Sequence, residues 1–382
     1  MDTAYYRDYL EFATGVPFTD GNAVETLQNG DQIFAAMLDA INRAEHCVDF
    51  LTFVYWTGAI AEEFALALAA RSQAGVSVRV LLDSYGAKQI PPRCLEIIEA
   101  AGVNVRWFRP LGTRRAWRID KRTHRKILTA DDRIGFTGGV GIAQEWTGNA
   151  RTQSEWRDSH FRFDGPCVAG LKAAFLENWN EAGDWGMTAA TGMHSTHAEG
   201  VPVQIIRSCS TVGWTEMAGL IRTLVSVSKH SLSIVTPYFV PDPKLIELLC
   251  GAAARGVDVR IMVPGEFCDE RLSQLAGYTS VEELLTAGVQ IFRYQHTNLH
   301  MKIIIVDGVV SCVGSSNLNH RSMGKDEECC AVVLSEALAG ELLSTFKADL
   351  LHAEALDLNS WRSRSLSLRV KERLARLLVE QL

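Results

Sequence analysis

His124-Arg125-Lys126-Ile127-Leu128-Thr129-Ala130-Asp131 and His300-Met301-Lys302-Ile303-Ile304-Ile305-Val306-Asp307 spell one pattern, H-x-K-x-x-x-x-D, twice in a single chain. The second copy runs into a β-branched stretch that reads as a buried strand. On a strand, residues two apart share a face, so each His and Lys are expected to point together. The Asp, at odd spacing from the His and beside Asp132 or Gly308, is expected to leave that face for a turn. An imidazole next to an ammonium suits phosphate chemistry: one attacks or moves a proton, and the other neutralises non-bridging oxygens. A single H-x-K is weak evidence, since short motifs recur by chance. Two copies of identical spacing, followed by Thr137-Gly138-Gly139 and by Gly314-Ser315-Ser316-Asn317, favour function over an exposed polar pair.

The text around the motifs repeats in the same order. Residues 31–44 read as a helix with Ile33, Phe34, Met37, Leu38 and Ile41 on one face, leading into an apolar strand over 47–55. Their counterparts are 216–227 and 232–239. A helix over 59–74 stops at Gly75 before a strand at 76–82, and 243–255, Gly256 and 257–263 repeat that arrangement. Alternating strands and helices predict an α/β fold with helices on both faces of a largely parallel or mixed sheet. The small, glycine-bounded segment 186–200 separates the repeats, giving expected domains at 1–190 and 200–382. A reacting phosphate needs both His-Lys pairs at one place, so the two α/β/α domains are expected to pack about a pseudo-two-fold axis with one shared active site.

At 382 residues, 47% hydrophobic and 22% charged, the chain is long enough for two full cores and is neither disordered nor fibrous. A net charge of −7 argues against a generally basic nucleic-acid binder. The nine cysteines include no C-x-x-C pair, so neither a zinc site nor a disulfide framework is indicated, and a reducing cytoplasm fits them. No apolar run approaches the roughly 18 residues of a membrane span, and residues 1–10 lack a signal-peptide pattern. The expectation is therefore a chain that is neither exported nor membrane-spanning.

Two segments carry local charge. The first repeat holds an insertion with Arg106, Arg109, Arg114, Arg115, Arg118, Lys121 and Arg122 just before its motif. It reads equally as a solvated loop or as a collar for anionic groups. Residues 361–382 carry six Arg or Lys against two Glu, with Leu366, Val370, Leu374, Leu377 and Leu378 near helical spacing. This basic amphipathic helix could lie on an anionic bilayer or on the protein's own core; both readings stand open. Tyr5, Tyr6, Tyr9 and Phe12 form a second aromatic set, expected to pack under the first domain. His194 and His197 fall in the linker and are expected to face solvent.

The doubled motif with Gly314-Ser315-Ser316-Asn317 resembles the phospholipase D superfamily. Thr236-Pro237-Tyr238-Phe239, 284–289 (Leu-Leu-Thr-Ala-Gly-Val) and Asn317-Leu318 before Arg321-Ser322 resemble bacterial cardiolipin synthases in particular, and the likeness spans nearly the whole chain. The resemblance implies two phospholipase D-like domains around one site and a two-step phosphodiester exchange that uses no metal or other cofactor. In it, His124 is the nucleophile, His300 the acid, Lys126 and Lys302 hold the non-bridging oxygens, and Asn317 adds a neutral hydrogen bond. The carboxylates that orient the imidazoles are implied to be Asp158 and Glu328, paired across the pseudo-two-fold as Glu328 with His124 and Asp158 with His300. Asp131 and Asp307 then brace the motif loops. Ser315, Arg321 and Arg122 are expected at the substrate. The first motif has Gly141 where relatives usually place Asn, so Thr137 or a backbone amide is expected to replace that ligand. Asn319-His320 stands where cardiolipin synthases commonly show Asp-Pro, and the paired N-terminal membrane helices of many relatives are absent.

The leading expectation is a phosphatidyltransferase making cardiolipin from phosphatidylglycerol and a second phospholipid, peripheral on the cytoplasmic face of the cell membrane. Its partners would be anionic phospholipids, with no nucleic acid and no obligate protein. A hydrolytic phospholipase D or nuclease is the first alternative, and an inactive membrane-surface binding protein the second.

Overall fold

The computed structural model describes residues 3–110, 120–183, 195–209 and 215–379. Strands of the first half are β1 (Thr19–Gln28), β2 (Cys47–Thr52), β3 (Ser77–Asp83), β4 (Asn104–Phe108), β5 (Ile127–Ala130), β6 (Ile134–Gly138) and β7 (Ser159–Asp164). Those of the second are β8 (Val201–Arg207), β9 (Ser231–Val235), β10 (Asp258–Pro264), β11 (Gln290–Tyr294), β12 (Ile303–Val306), β13 (Val310–Gly314), β14 (Cys329–Leu334) and β15 (Ala353–Ala355). All belong to one mixed sheet in the order β15-β11-β10-β9-β12-β13-β14-β8-β1-β7-β6-β5-β2-β3-β4. Read outward from the β8–β1 junction, the two halves have the same strand order, and β15 is an addition at one edge. The junction is antiparallel, with Thr19 opposite Val203 and Asn22 opposite Val201, as a two-fold relation between the halves requires.

One face of the sheet carries a core common to both halves. Leu51, Ile127, Phe161 and Phe175 from the first pack with Ile303, Ile305 and Leu342 from the second. The helices Val168–Glu181 and Glu336–Leu350 cover this face. On the other face each half has its own core, around Ile33, Phe50 and Phe64 in one and Leu220, Leu249 and Ile261 in the other. Full burial of a Leu, Ile or Phe contributes about 1.5–3 kcal/mol, so these layers dominate the favourable side of folding.

The strands expected over 47–55 and 232–239 stop earlier, at Thr52 and Val235. In both, a threonine hydroxyl turns to the backbone two residues on, Thr52 to the Val54 carbonyl (2.8 Å) and Thr236 to that of Tyr238 (3.4 Å). Single bridges Tyr55 to Ile142 and Phe239 to Leu318 then continue the pairing. The helix Glu216–Val227 has the expected bounds, with the Thr215 hydroxyl accepting from the Ala218 N–H at its start.

The N-terminal helix Thr3–Thr14 does not pack under the first half. Tyr6 and Leu10 enter the core of the second half beside Met217 and Leu220, and Tyr9 and Phe12 are exposed. The C-terminal segment forms the helices Leu358–Arg362 and Leu366–Val379. Among the described residues no helix is long and apolar enough to cross a membrane.

Candidate active site

Both motifs end in the same hairpin turn. Asp131 and Asp132 (φ 53° and 56°) and Asp307 and Gly308 (φ 53° and 66°) occupy left-handed positions that only such a turn makes favourable. The Asp131 carboxylate accepts from the amides of Glu45, His46 and Cys47, and Asp307 accepts from Lys229, His230 and Ser231. Each motif aspartate thus ties its turn to the start of β2 or β9 and lies away from the imidazoles. Asp307 also accepts from the Tyr6 hydroxyl at 2.6 Å.

The His and Lys residues do not lie on strands, which begin at Ile127 and Ile303. They sit just before, in extended segments whose hydrogen bonds cross between halves. The His124 amide donates to the Glu327 carbonyl (2.9 Å) and the His300 amide to that of Arg157 (2.7 Å). The next residue after each acceptor is Glu328 or Asp158. This register brings His124 Nδ1 within 3.0 and 3.1 Å of the two Glu328 oxygens, and His300 Nδ1 within 2.8 Å of Asp158 Oδ2.

The two carboxylates are held differently. Glu328 accepts from the hydroxyls of Ser322 (2.6 Å) and Ser315, whereas Asp158 accepts from Trp146 Nε1 (2.9 Å) and the Ser159 amide (2.8 Å). Burial alone would raise Glu328, but the His124 imidazole, Lys126 and the Ser315 hydroxyl bring it down to about 2. Asp158 is likewise below its usual range, against burial, through His300, Lys302 and Trp146. Burial lowers His124 in spite of Glu328, and burial with the Lys302 charge lowers His300 to about 4. The site therefore holds neutral imidazoles beside ionised carboxylates. An ionised carboxylate has no proton to give, so each Nδ1–H is the donor and each Nε2 keeps its lone pair.

Lys126 and Lys302 donate to the backbone carbonyls of His124 (2.9 Å) and His300 (2.6 Å). Burial and the charge of Lys302 push Lys126 down to about 7, and burial pushes Lys302 to about 8. Burial disfavours the charge on both ammonium groups and Lys302 repels Lys126, so an anion placed between them would favour their charged forms.

The walls differ between halves. Phe53 meets His124 edge-on at 5.1 Å, and Trp146, Trp156 and Tyr238 surround His300 at 5.2, 5.3 and 6.2 Å between ring centroids. The bridges Tyr55 to Ile142 and Phe239 to Leu318 match Val54 with Tyr238 and Gly141 with Asn317. A Cβ on Gly141 would stand 2.6 Å from Val54 Cβ, so an asparagine has no room there. The counterpart Asn317 is buried, with its Oδ1 unpartnered among the described residues.

Thr137 does not replace the missing ligand. It lies opposite Ile127 and Phe161 in the sheet and shares their face, so its buried hydroxyl sits in the common apolar core. Ser315, expected at the substrate, gives its hydroxyl to Glu328. Arg321 is held by Asp326 (2.8 Å) and the Asp120 carbonyl (2.9 Å), and Arg122 is buried against the carbonyls of Lys121 and Arg109 and the Asp83 carboxylate. Arg106 stacks 4.1 Å over Trp179, and Arg109 pairs with Glu181 and Glu327. These arginines brace the site's rim rather than forming a solvated loop; Arg114, Arg115 and Arg118 lie outside the described residues, as does His194. His197 is half-buried and pairs with Asp164 at 3.1 Å, contrary to the solvent-facing expectation. Asn319 caps the helix His320–Gly324 through the Ser322 amide, a role that accounts for its presence without catalysis.

Sequence reasoning missed the ring contacts of Phe53 and Trp146. In the repeat Phe53 aligns with Pro237 and Val54 with Tyr238, so the match of the halves carried no signal for either Phe53 or Trp146. It also missed His160, buried with neither ring nitrogen partnered among the described residues and pushed by burial to about 3, hence neutral.

Residues 37–153 and 220–350 match the family model described as cardiolipin synthase, PLD-like domain. Cardiolipin synthase 1 of Bacillus cereus is 32% identical over 377 residues, 95% of this chain and 73% of that protein. The major cardiolipin synthase ClsA of Bacillus subtilis is 30% identical over 375 residues, 94% of this chain and 76% of its own. Among solved structures, the phosphatidylserine synthase of Haemophilus influenzae aligns over 99% of this chain and 98% of that one with a TM-score of 0.75 at 14% identity, a likeness of fold.

Proposed function

Because the chain belongs to the phospholipase D-like family of cardiolipin synthases and is a phosphatidyltransferase of that type, we propose that it joins phosphatidylglycerol to a second phospholipid through a phosphohistidine intermediate. One observation supports this reading above all: two buried imidazoles, each oriented by a carboxylate of the opposite half, flank two buried lysines, neither of which forms a direct ion pair among the described residues.

In the first step His124 Nε2 attacks phosphorus. An N–P bond forms, the P–O bond to the departing glycerol breaks, and His300 gives its proton to that oxygen. In the second step the hydroxyl of the incoming lipid attacks, His300 takes its proton, and the N–P bond breaks. His300 can act as the acid because a phosphodiester anion beside Lys302 offsets the like charge that, after burial, lowers it. Lys126, Lys302 and the Asn317 amide hold the non-bridging oxygens, more tightly as charge builds in the transition state. Glu328 and Asp158 keep the imidazoles in the reactive tautomer and steady the imidazolium. On this reading the halves are domains at 1–190 and 200–382, and the protein works at the cytoplasmic surface of the cell membrane.

Incubating the protein with phosphatidylglycerol vesicles, with and without a chelator, tests the reading. Cardiolipin plus glycerol in both supports it. Phosphatidic acid identifies a hydrolase, no turnover identifies a binding protein, and loss of turnover with chelator contradicts the metal-free steps.

A further inference from the structure

The helix Leu366–Val379 presents two faces. Its inner face carries Glu372 and Ala375, both buried: Glu372 pairs with Arg364, and Ala375 packs with Val240 and Ala276. Its outer face carries Leu366, Val370, Leu374 and Leu377, which are 78%, 55%, 57% and 74% exposed. Four residues at this spacing form one continuous apolar stripe along the helix. Arg373 and Lys371, both exposed, flank the stripe on its two sides, and Arg369 follows Arg373 around the helix. A groove of about 620 Å³ adjoins the same helix; its lining includes Arg271, Arg293, Arg364 and Glu266, with Arg293 and Arg364 paired to Glu354 and Glu372. The protein's net charge is −7, so the cations Arg369, Lys371 and Arg373 beside the stripe are a local departure from the overall negative balance.

The protein's own core already holds the other face. A second copy stacked on the stripe would bring Arg369, Lys371 and Arg373 toward their equivalents, and like charges facing each other disfavour that contact. An apolar strip between cations matches the interface of a bilayer that bears negative headgroups. We propose that the outer face of Leu366–Val379 is the surface on which this protein seats itself on an anionic lipid bilayer.

The seat is tied to the active site. Arg376 donates to the Pro241 carbonyl at 2.9 Å, and the adjacent Val240 amide donates to the Leu318 carbonyl at 2.7 Å, beside Asn317. Two residues earlier in the same segment, Tyr238 faces His300. A helix resting on the bilayer thus holds the wall of the His300 pocket against the lipid surface, a consequence that rests on the phosphatidyltransferase reading, although the docking surface itself does not.

The test uses the full chain in flotation assays with vesicles of phosphatidylcholine alone and of phosphatidylcholine with phosphatidylglycerol. A triple substitution, V370E with L374E and L377E, changes exposed positions only; a second variant, R369Q with K371Q and R373Q, leaves the stripe intact. The expected result is wild-type binding to the anionic vesicles alone, with about tenfold or greater loss in each variant. Turnover of phosphatidylglycerol in detergent micelles, where no flat surface is needed, should stay at the wild-type rate and report an intact fold. Variants that float like wild type overturn the proposal, as does wild-type binding that ignores vesicle charge. Conversion of a dimer to a monomer by the triple substitution also overturns it, assigning the stripe to a second copy. If wild type binds anionic vesicles through this face yet turns over no lipid in micelles or vesicles, the surface stands and the catalytic reading falls.

Discussion

Glu328 of the second half holds His124 of the first, its two carboxylate oxygens 3.0 and 3.1 Å from the imidazole Nδ1 across 204 residues of sequence. Asp158 holds His300 in the opposite direction at 2.8 Å. Neither half carries a complete imidazole-carboxylate pair, so the site exists only when both halves are folded together.

Replacing Glu328 by Gln keeps the volume and removes the charge that fixes the His124 tautomer. Turnover of phosphatidylglycerol should fall by roughly 10³- to 10⁴-fold with little change in the melting profile. A loss of only a few-fold would mean that Glu328 does not orient the imidazole.

Gly141 is confined by Val54, whose Cβ would be 2.6 Å from any new Cβ. Gly141→Asn should therefore destabilise the protein by about 1–3 kcal/mol in denaturant titration through overpacking. Adding Val54→Gly opens that space, and the double variant should be more stable than the sum of the single effects by at least about 0.5 kcal/mol. Additive effects would show that Val54 is not the constraint.

The lysines predict a pH effect with a definite sign. Burial, before any other cause, pushes Lys126 down to about 7 and Lys302 down to about 8. An anion between them raises both, so binding takes up protons. Sulfate, whose charge is constant in this range, should bind more weakly as pH rises from 7 to 9, by up to about tenfold per pH unit for each lysine. Calorimetry in buffers of different ionisation heat measures the uptake directly. A pH-independent affinity without uptake would contradict the placement of the two charges.

Tyr6 offers a test of how the motif turn is held. Tyr6→Phe removes the 2.6 Å bond to Asp307 but keeps the ring in the second core. Asp307 retains three amide donors, so the loss should be about 1–2 kcal/mol of stability, with KM unchanged. A change in KM without loss of stability would place Asp307 in substrate binding.

Much of this was legible because the chain states it twice. The duplicated helix-strand order predicts the matching strand orders on either side of the β8–β1 junction, and odd spacing sends Asp131 and Asp307 out of the site and into the turns. The sequence could not tell that the H-x-K segments precede their strands. Their extended shape comes from amides of His124 and His300 bonding to the other half, a contact with no local signature. The positions of Thr137 and Ser315 were hidden for a similar reason. Alternation along β6 turns Thr137 into the common core, and the Ser315 hydroxyl is drawn to a carboxylate thirteen residues away by buried charge. The N-terminal helix crosses to the second half because Tyr6 finds Asp307 there, a partner 301 residues distant.

The central claim, two successive displacements through a histidine of this site, is tested most directly by the configuration at phosphorus. Phosphatidylglycerol made chiral at its phosphodiester with oxygen isotopes would be converted to cardiolipin, and the product's configuration determined by phosphorus NMR. Attack by His124 inverts phosphorus once and attack by the second alcohol inverts it again, so the account predicts net retention. Net inversion would mean a single direct displacement and would contradict the intermediate.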